Sequence, residues 1–284
     1  ILLPVFILDR DGQATAVTDS TPLIREFEEK YPDRSVLPKD PAINFINFIL
    51  EDFGDEWCTK FMFHYRWHFD EDADNAGTIL PLGINSSLKD DELAFFKEHF
   101  ANRQIDRLWV VGSNNDTAEF IDNSYKKVLT IFEEHFKENP FLLGNFPSSC
   151  DFAVYGQFTQ LVGFDPTPRR IAYEISPRTV AWVSTLEDRG GLNYSEENKS
   201  IDSLSDSILD LFKELSISYI PTMIENHKAV NEGEKEWSVD LAGYPWKQKS
   251  FPYQAKCLDW IRDEFKKLDT ENQEKVLNFL TATN

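Results

Sequence analysis

The chain has 284 residues, of which 41% are hydrophobic and 14% aromatic, enough for sizeable cores in two domains and too apolar for a disordered polymer. Forty-nine Asp and Glu against 29 Lys and Arg give a formal charge of -20, which argues against a nucleic-acid partner, because phosphate contacts need basic clusters, and equally against acidic lipid surfaces. No apolar run approaches the about 20 residues a membrane helix needs and no signal-peptide pattern is present, so no membrane partner and a cytoplasmic address are expected.

The chain opens on ILLPVFIL, a run already reading as a buried strand, and an N-terminally truncated sequence is expected from that opening. Pro4 removes a ladder donor inside the run, so it belongs at a sheet edge or in a special turn before the strand, with a cis bond as one form. Asp11-Gly12 supplies a tight reversal, and residues 15–18 pair back antiparallel to make a hairpin. Asp19 or Ser20 then offers an oxygen to the free amides of a helix start, where Pro22 is tolerated. Leu23, Ile24 and Phe27 share the apolar face of that helix, which runs to about Tyr31 before Pro32 stops it.

Residues 41–68 read as one long helix with Ile43, Ile46, Ile49, Leu50, Phe53 and Trp57 along one side. Its tail, KFMFHYRWHF, is aromatic almost all round, as in a helix enclosed by neighbours or lining a cavity. Phe61, Phe63, Tyr65 and Trp67 are thus either the walls of an apolar substrate pocket or core residues. Residues 70–83 read as a loop. Its alternating Asp70, Asp72 and Asp74 fail as a calcium loop, since Asn75 stands where Gly is needed and Pro81 where the bidentate Glu should be. His64 and His68 share one helix face, but Tyr65 follows the first His where a metalloprotease motif has Glu, and no metal is expected.

Two more helices follow at 91–103 and 117–138, the second capped by Asp116 with Glu119 three residues later and ended by Pro140. In PFLLGNFPSSCDFAVYGQFTQL, residues 140–161, Ser148-x-x-Asp151 is a capping box that opens another helix. Ser176 and Pro177 start the next, with Val180, Val183 and Leu186 inward and Gly190 or Gly191 at its end. A polar linker, residues 193–205, precedes two helices and a short WSVDLAG segment. PYQAKCLDWIRDEFKKL is a helix with Leu258, Ile261, Phe265 and Leu268 on one face, and Thr270-x-x-Gln273 caps a last one. Cys58, Cys150 and Cys257 form no CxxC, which fits a reducing compartment and packed thiols; only Cys150, at a helix start, has a location that lowers a thiol's pKa.

The order L-P-V-F strand, turn, D-S-T-P-L-I-R resembles the second half of the thioredoxin-like domain of cytosolic glutathione transferases. The G-x-x-P-S-x-x-D element at 144–151 resembles the one that introduces the buried helix of their helical domain. The resemblance covers roughly residues 1–190; the stretch 202–284 is similar to longer bacterial members of the superfamily. It implies an α+β chain: a partial thioredoxin-like domain, residues 1–38, built of a β-hairpin plus a helix, then a predominantly all-α domain, residues 39–284, of which 202–284 is an extension that either covers the pocket or adds to the core.

For the site, the resemblance implies a cis Pro4, a Leu3 backbone that pairs with the cysteinyl part of glutathione, and an Asp19–Ser20 pair that grips its γ-glutamyl end. The residues alone leave the Asp-Ser pair open as a plain helix cap. Ser148 and Asp151 come over as folding determinants. The catalytic Ser, Cys or Tyr of the family lies on a first strand and helix not present in this sequence, so the catalytic residue is unassigned. Two functions follow: a transferase that conjugates or exchanges the thiol of its co-substrate glutathione with a small apolar electrophile, with a homodimer as the assembly to test, or a non-catalytic binding or scaffold protein of the same fold.

Overall fold

The computed structural model describes residues 5–190 and 200–283. Strands β1 (Val5–Arg10) and β2 (Gln13–Thr18) pair antiparallel from Val5 opposite Thr18 to Arg10 opposite Gln13. Asp11 and Gly12 both take positive φ, the turn geometry that matches strand twist. Helix α1 (Ser20–Lys30) follows, buries Leu23, and sets Phe27 edge-on against Phe6 of β1. The fold is α+β, and among the described residues the regular elements from Pro41 onward are helices apart from one further hairpin.

The helix expected over 41–68 forms along its whole length, but not as regular α-helix throughout. Helix α2 (Pro41–Phe53) runs into a π-helical turn, Gly54–Cys58, before α3 (Thr59–His68) resumes. The cause is close packing. A Cβ on Gly54 would stand 2.8 Å from the Val154 backbone nitrogen, so the helix meets its neighbour backbone to backbone there. The expected loop at 70–83 is helix α4 (Asp70–Ile84), which pairs with α5 (Asp90–Ile105). Asp70, Glu71 and Asp72 sit in the first turn, where carboxylates suit the helix dipole, and Asp72 accepts the Thr167 amide at 2.9 Å.

Helix α6 (Ala118–His135) starts from Thr117 and not from the expected Asp116, because the Asn114 side chain already takes the amides of both Asp116 and Thr117. Helix α7 (Ser149–Gly163) lies at the centre, packed by α2, α3, α8 (Pro166–Ile175) and α9 (Pro177–Glu187). Of the expected linker, residues 193–199 lie outside the described residues, and Ile201–Ser203 form a 3-10 turn. Then come α10 (Asp206–Ile217), α11 (Tyr219–Glu232), strands β3 (Glu236–Leu241) and β4 (Tyr244–Lys249), α12 (Pro252–Lys267) and α13 (Thr270–Thr281). WSVDLAG is thus half of a hairpin, turned at Ala242-Gly243, both at positive φ. Asp269, one residue before the expected Thr270, caps α13 by accepting the Asn272 amide. Among the described residues no helix is long and apolar enough to cross a membrane.

The capping box of α7 forms, and its acid carries most of it. The buried Asp151 carboxylate accepts the Ser148 amide at 2.9 Å, the Ser148 hydroxyl at 2.9 Å and the Leu142 amide at 2.8 Å. Asp151→Ala leaves two buried amides unpaired and is expected to cost about 3 kcal/mol or more, against about 1 kcal/mol for Ser148→Ala. Denaturant titrations of the two variants check the order.

Candidate functional site

Helix α1 begins from a strained residue. Asp19 has φ 81° and ψ 117°, a conformation that costs a non-glycine residue of order 1–3 kcal/mol and that concentrates at ligand sites. Its Oδ1 accepts the Thr21 amide at 3.3 Å, and its Oδ2 accepts the Tyr253 hydroxyl of α12 at 2.9 Å. Ser20 is the first residue of the helix and is partly buried. The structure therefore brings Asp19 and Ser20 together at a helix N-terminus, where the helix dipole favours an anion and the Asp carboxylate favours a cation. Leu3 and Pro4 lie outside the described residues.

Beside this start is a narrow cleft walled by Asp52, Asp55 and Glu56 from α2 and the π-helical turn and by Tyr253, Cys257 and Trp260 from α12. The free space is about 10 Å³, room for no more than one water. Burial, with Glu56 as a like-charge neighbour, raises the Asp52 carboxyl to about 7, although the Tyr219 hydroxyl donates to it and opposes the shift. Burial and then Glu51 push Asp55 well above the carboxylate range, and burial raises Glu56 against the pull of Gln254 and Lys60. Lys60, fully enclosed between the Trp57 and Trp246 rings, is lowered by burial to about 8. A buried carboxylate cluster of this kind holds protons or receives a hydrogen-bonding cation.

The thiols are packed groups. Burial raises Cys58, Cys150 and Cys257 alike, so the helix-start location of Cys150 confers no thiolate character. Phe61, Tyr65 and Trp67, the residues expected as pocket walls or core, are buried, at 0%, 0% and 4% exposure. Tyr65 stacks on Phe69 and donates to Asp122, Phe61 leans on Tyr125, and Trp67 meets Phe100 edge-on. His64 stacks on His68 at 4.6 Å and is lowered by burial to about 3, a neutral ring bonded to the Ser113 hydroxyl. Among the described residues no group of three or more His, Cys, Asp and Glu could hold a metal ion.

Sequence reasoning missed Asp52, Asp55, Tyr219 and Tyr253. The run EDFGDE, with four carboxylates in six positions of an otherwise apolar helix, was the available signal. Because folding raises the Asp52 pKa, the folded state holds the proton more tightly than the unfolded one. The stability this provides is complete below about 3.8 and is lost as pH rises to about 7. Wild-type protein is expected to lose stability relative to Asp52→Asn across that window, with a constant gap above it; urea titrations at pH 4.5, 6 and 7.5 check this.

Residues 115–189, spanning α6 to α9, match the family model described as Glutathione S-transferase, C-terminal domain. Searches of curated proteins and of solved structures return no match. The matched segment contains the capping box at Ser148 and Asp151 and the central helix α7, the same elements that carry the core. The match identifies residues 115–189 as a helical domain of the glutathione S-transferase C-terminal type.

Proposed function

We propose that the chain is a glutathione S-transferase-like protein in which Asp19 and Ser20 hold the γ-glutamyl end of glutathione, and in which the glutathione thiol is conjugated to, or exchanged with, a small apolar electrophile. The observation that carries this reading is the strained Asp19 at the start of α1, presenting a carboxylate beside the positive end of the helix dipole. A γ-glutamyl terminus bears one ammonium and one carboxylate, and the two charges suit those two features. Leu3 and Pro4 belong to the same half-site by resemblance. In the conjugation step the thiol loses its proton, the thiolate sulfur bonds to the electrophilic atom, and the leaving group departs with its electron pair. To this reading also belong a division into residues 1–38, of thioredoxin-like origin, and residues 39–284, a homodimer and a cytoplasmic address.

A non-catalytic binding protein of the same fold is the second reading, since one fold hosts many functions. Calorimetry of the full natural chain with glutathione tests the half-site. Wild-type protein is expected to bind, Asp19→Asn to weaken binding tenfold or more by removing a charged partner, and Ser20→Ala to weaken it severalfold. Absence of wild-type binding overturns the glutathione reading. Binding without turnover of a panel of aromatic electrophiles selects the non-catalytic protein.

A further inference from the structure

Tyr253 lies 234 residues from Asp19 in the chain, yet its hydroxyl is 2.9 Å from the Asp19 Oδ2. That meeting is built and not incidental to a loose tail. Asn226 of α11 is fully buried and clamps the start of α12: its Nδ2 donates to the Phe251 carbonyl at 2.9 Å and its Oδ1 accepts the Phe251 amide at 2.8 Å. The indole of Trp237 in β3 donates to the same Oδ1 at 3.1 Å. Farther along α12, Phe265 packs on Phe45 of α2 with ring centres 5.4 Å apart. Tyr253, one residue into the helix, is thus carried on an anchored element, its ring edge-on to Trp260.

The bonding at Asp19 is half complete. An ionised carboxylate offers about two acceptor positions on each oxygen. One on Oδ1 serves the Thr21 amide and one on Oδ2 serves Tyr253, which leaves an acceptor position on each oxygen. Burial raises Tyr253 well above the usual phenol range, so it stays a donor. The two fixed donors remove the rotational freedom of the carboxylate and leave its remaining lone pairs in one orientation.

We propose that Tyr253 is a positioning residue for glutathione recognition: its hydroxyl fixes the Asp19 carboxylate in the orientation that receives the γ-glutamyl ammonium, which makes helix α12, near the end of the chain, part of the site. The inference rests on the Asp19–Ser20 reading above. It says which part of the ligand Tyr253 governs. The phenol does not touch the substrate thiol; it acts through Asp19, and only on the ammonium.

The test measures dissociation constants of the full natural chain for glutathione and for its deamino analogue, in which hydrogen replaces the ammonium, with wild type, Tyr253→Phe, Asp19→Asn and the double variant. Tyr253→Phe is expected to weaken glutathione binding about tenfold and to leave the analogue unchanged, because a charged partner has been disordered and nothing else. In the double variant it is expected to add little to Asp19→Asn, since the two act as one unit. Equal weakening of both ligands would mean a general structural role and overturns the proposal, as does unchanged or tighter glutathione binding. Wild-type binding that is sensitive to Asp19→Asn but not to Tyr253→Phe sinks this inference alone. No wild-type binding, or binding indifferent to Asp19→Asn, removes the half-site itself and the inference with it.

Discussion

Glu51 of α2 is 2% exposed, and a carboxylate so placed is tolerable only with partners on both oxygens. It has them: Arg25 of α1 pairs with Oε1, and the Ser149 hydroxyl of α7 donates to Oε2. The first amides of α7 are settled at the same junction. Ser148 N–H goes to Asp151, Ser149 N–H to the Val36 carbonyl at 2.9 Å, and Cys150 N–H to the Asn47 Oδ1 at 3.1 Å. A helix start buried in a core has no water to satisfy these donors, so the chain must bring acceptors to them. Besides Asp151 of α7 itself, the acceptors are Asn47 of α2 and Val36 of the stretch joining α1 to α2. The orientation of α1, and with it Asp19, therefore follows from the satisfaction of the α7 N-terminus.

The same contact explains the shape of the acidic cleft. Below Glu51, α2 presses against α7 so closely that only Gly54 fits, and the helix answers with a π-helical turn. Such a turn inserts one residue into the helical repeat and rephases all that follows. Trp57, Cys58 and Phe61 point into the core, while Asp55 and Glu56 line the space facing α12. Tight packing on one side of the helix thus shapes the acidic wall on the other.

Features made by neighbours in sequence were legible beforehand. Asp11-Gly12 turns the first hairpin and Ser148-x-x-Asp151 opens α7, because each is set by backbone conformation and side chains within a few residues. The π-helical turn was not, since its cause is the backbone of Ala153 and Val154, about a hundred positions away. Helix α4 read as a loop because clustered Asp and Asn and a late Pro81 lower helix propensity, and the bond from Thr167 that holds Asp72 is tertiary. The second hairpin hid behind Ala242, a residue that seldom adopts positive φ. Of the candidate site, Asp19 and Ser20 were legible as a cap at a helix start. Phe61, Tyr65 and Trp67 could not be told from pocket walls, because an all-aromatic helix face carries the same pattern whether it meets other rings or a ligand.

The C-terminal extension contributes side chains to the buried core. Trp246 of β4 is 1% exposed and lies 5.6 Å, ring to ring, from Trp57, and a Cβ on Gly112 would meet it at 2.4 Å. The Tyr219 hydroxyl donates to Asp52, and Phe265 packs on Phe45. The extension is thus bonded to α2 along both its apolar and its acidic sides before Tyr253 reaches Asp19. Loosening it would expose core aromatic surface, free Asp52 from its donor and release Asp19 together, since α11 and α12 are clamped to each other through Asn226. A segment coupled in this way reports the integrity of the helical core directly to the start of α1.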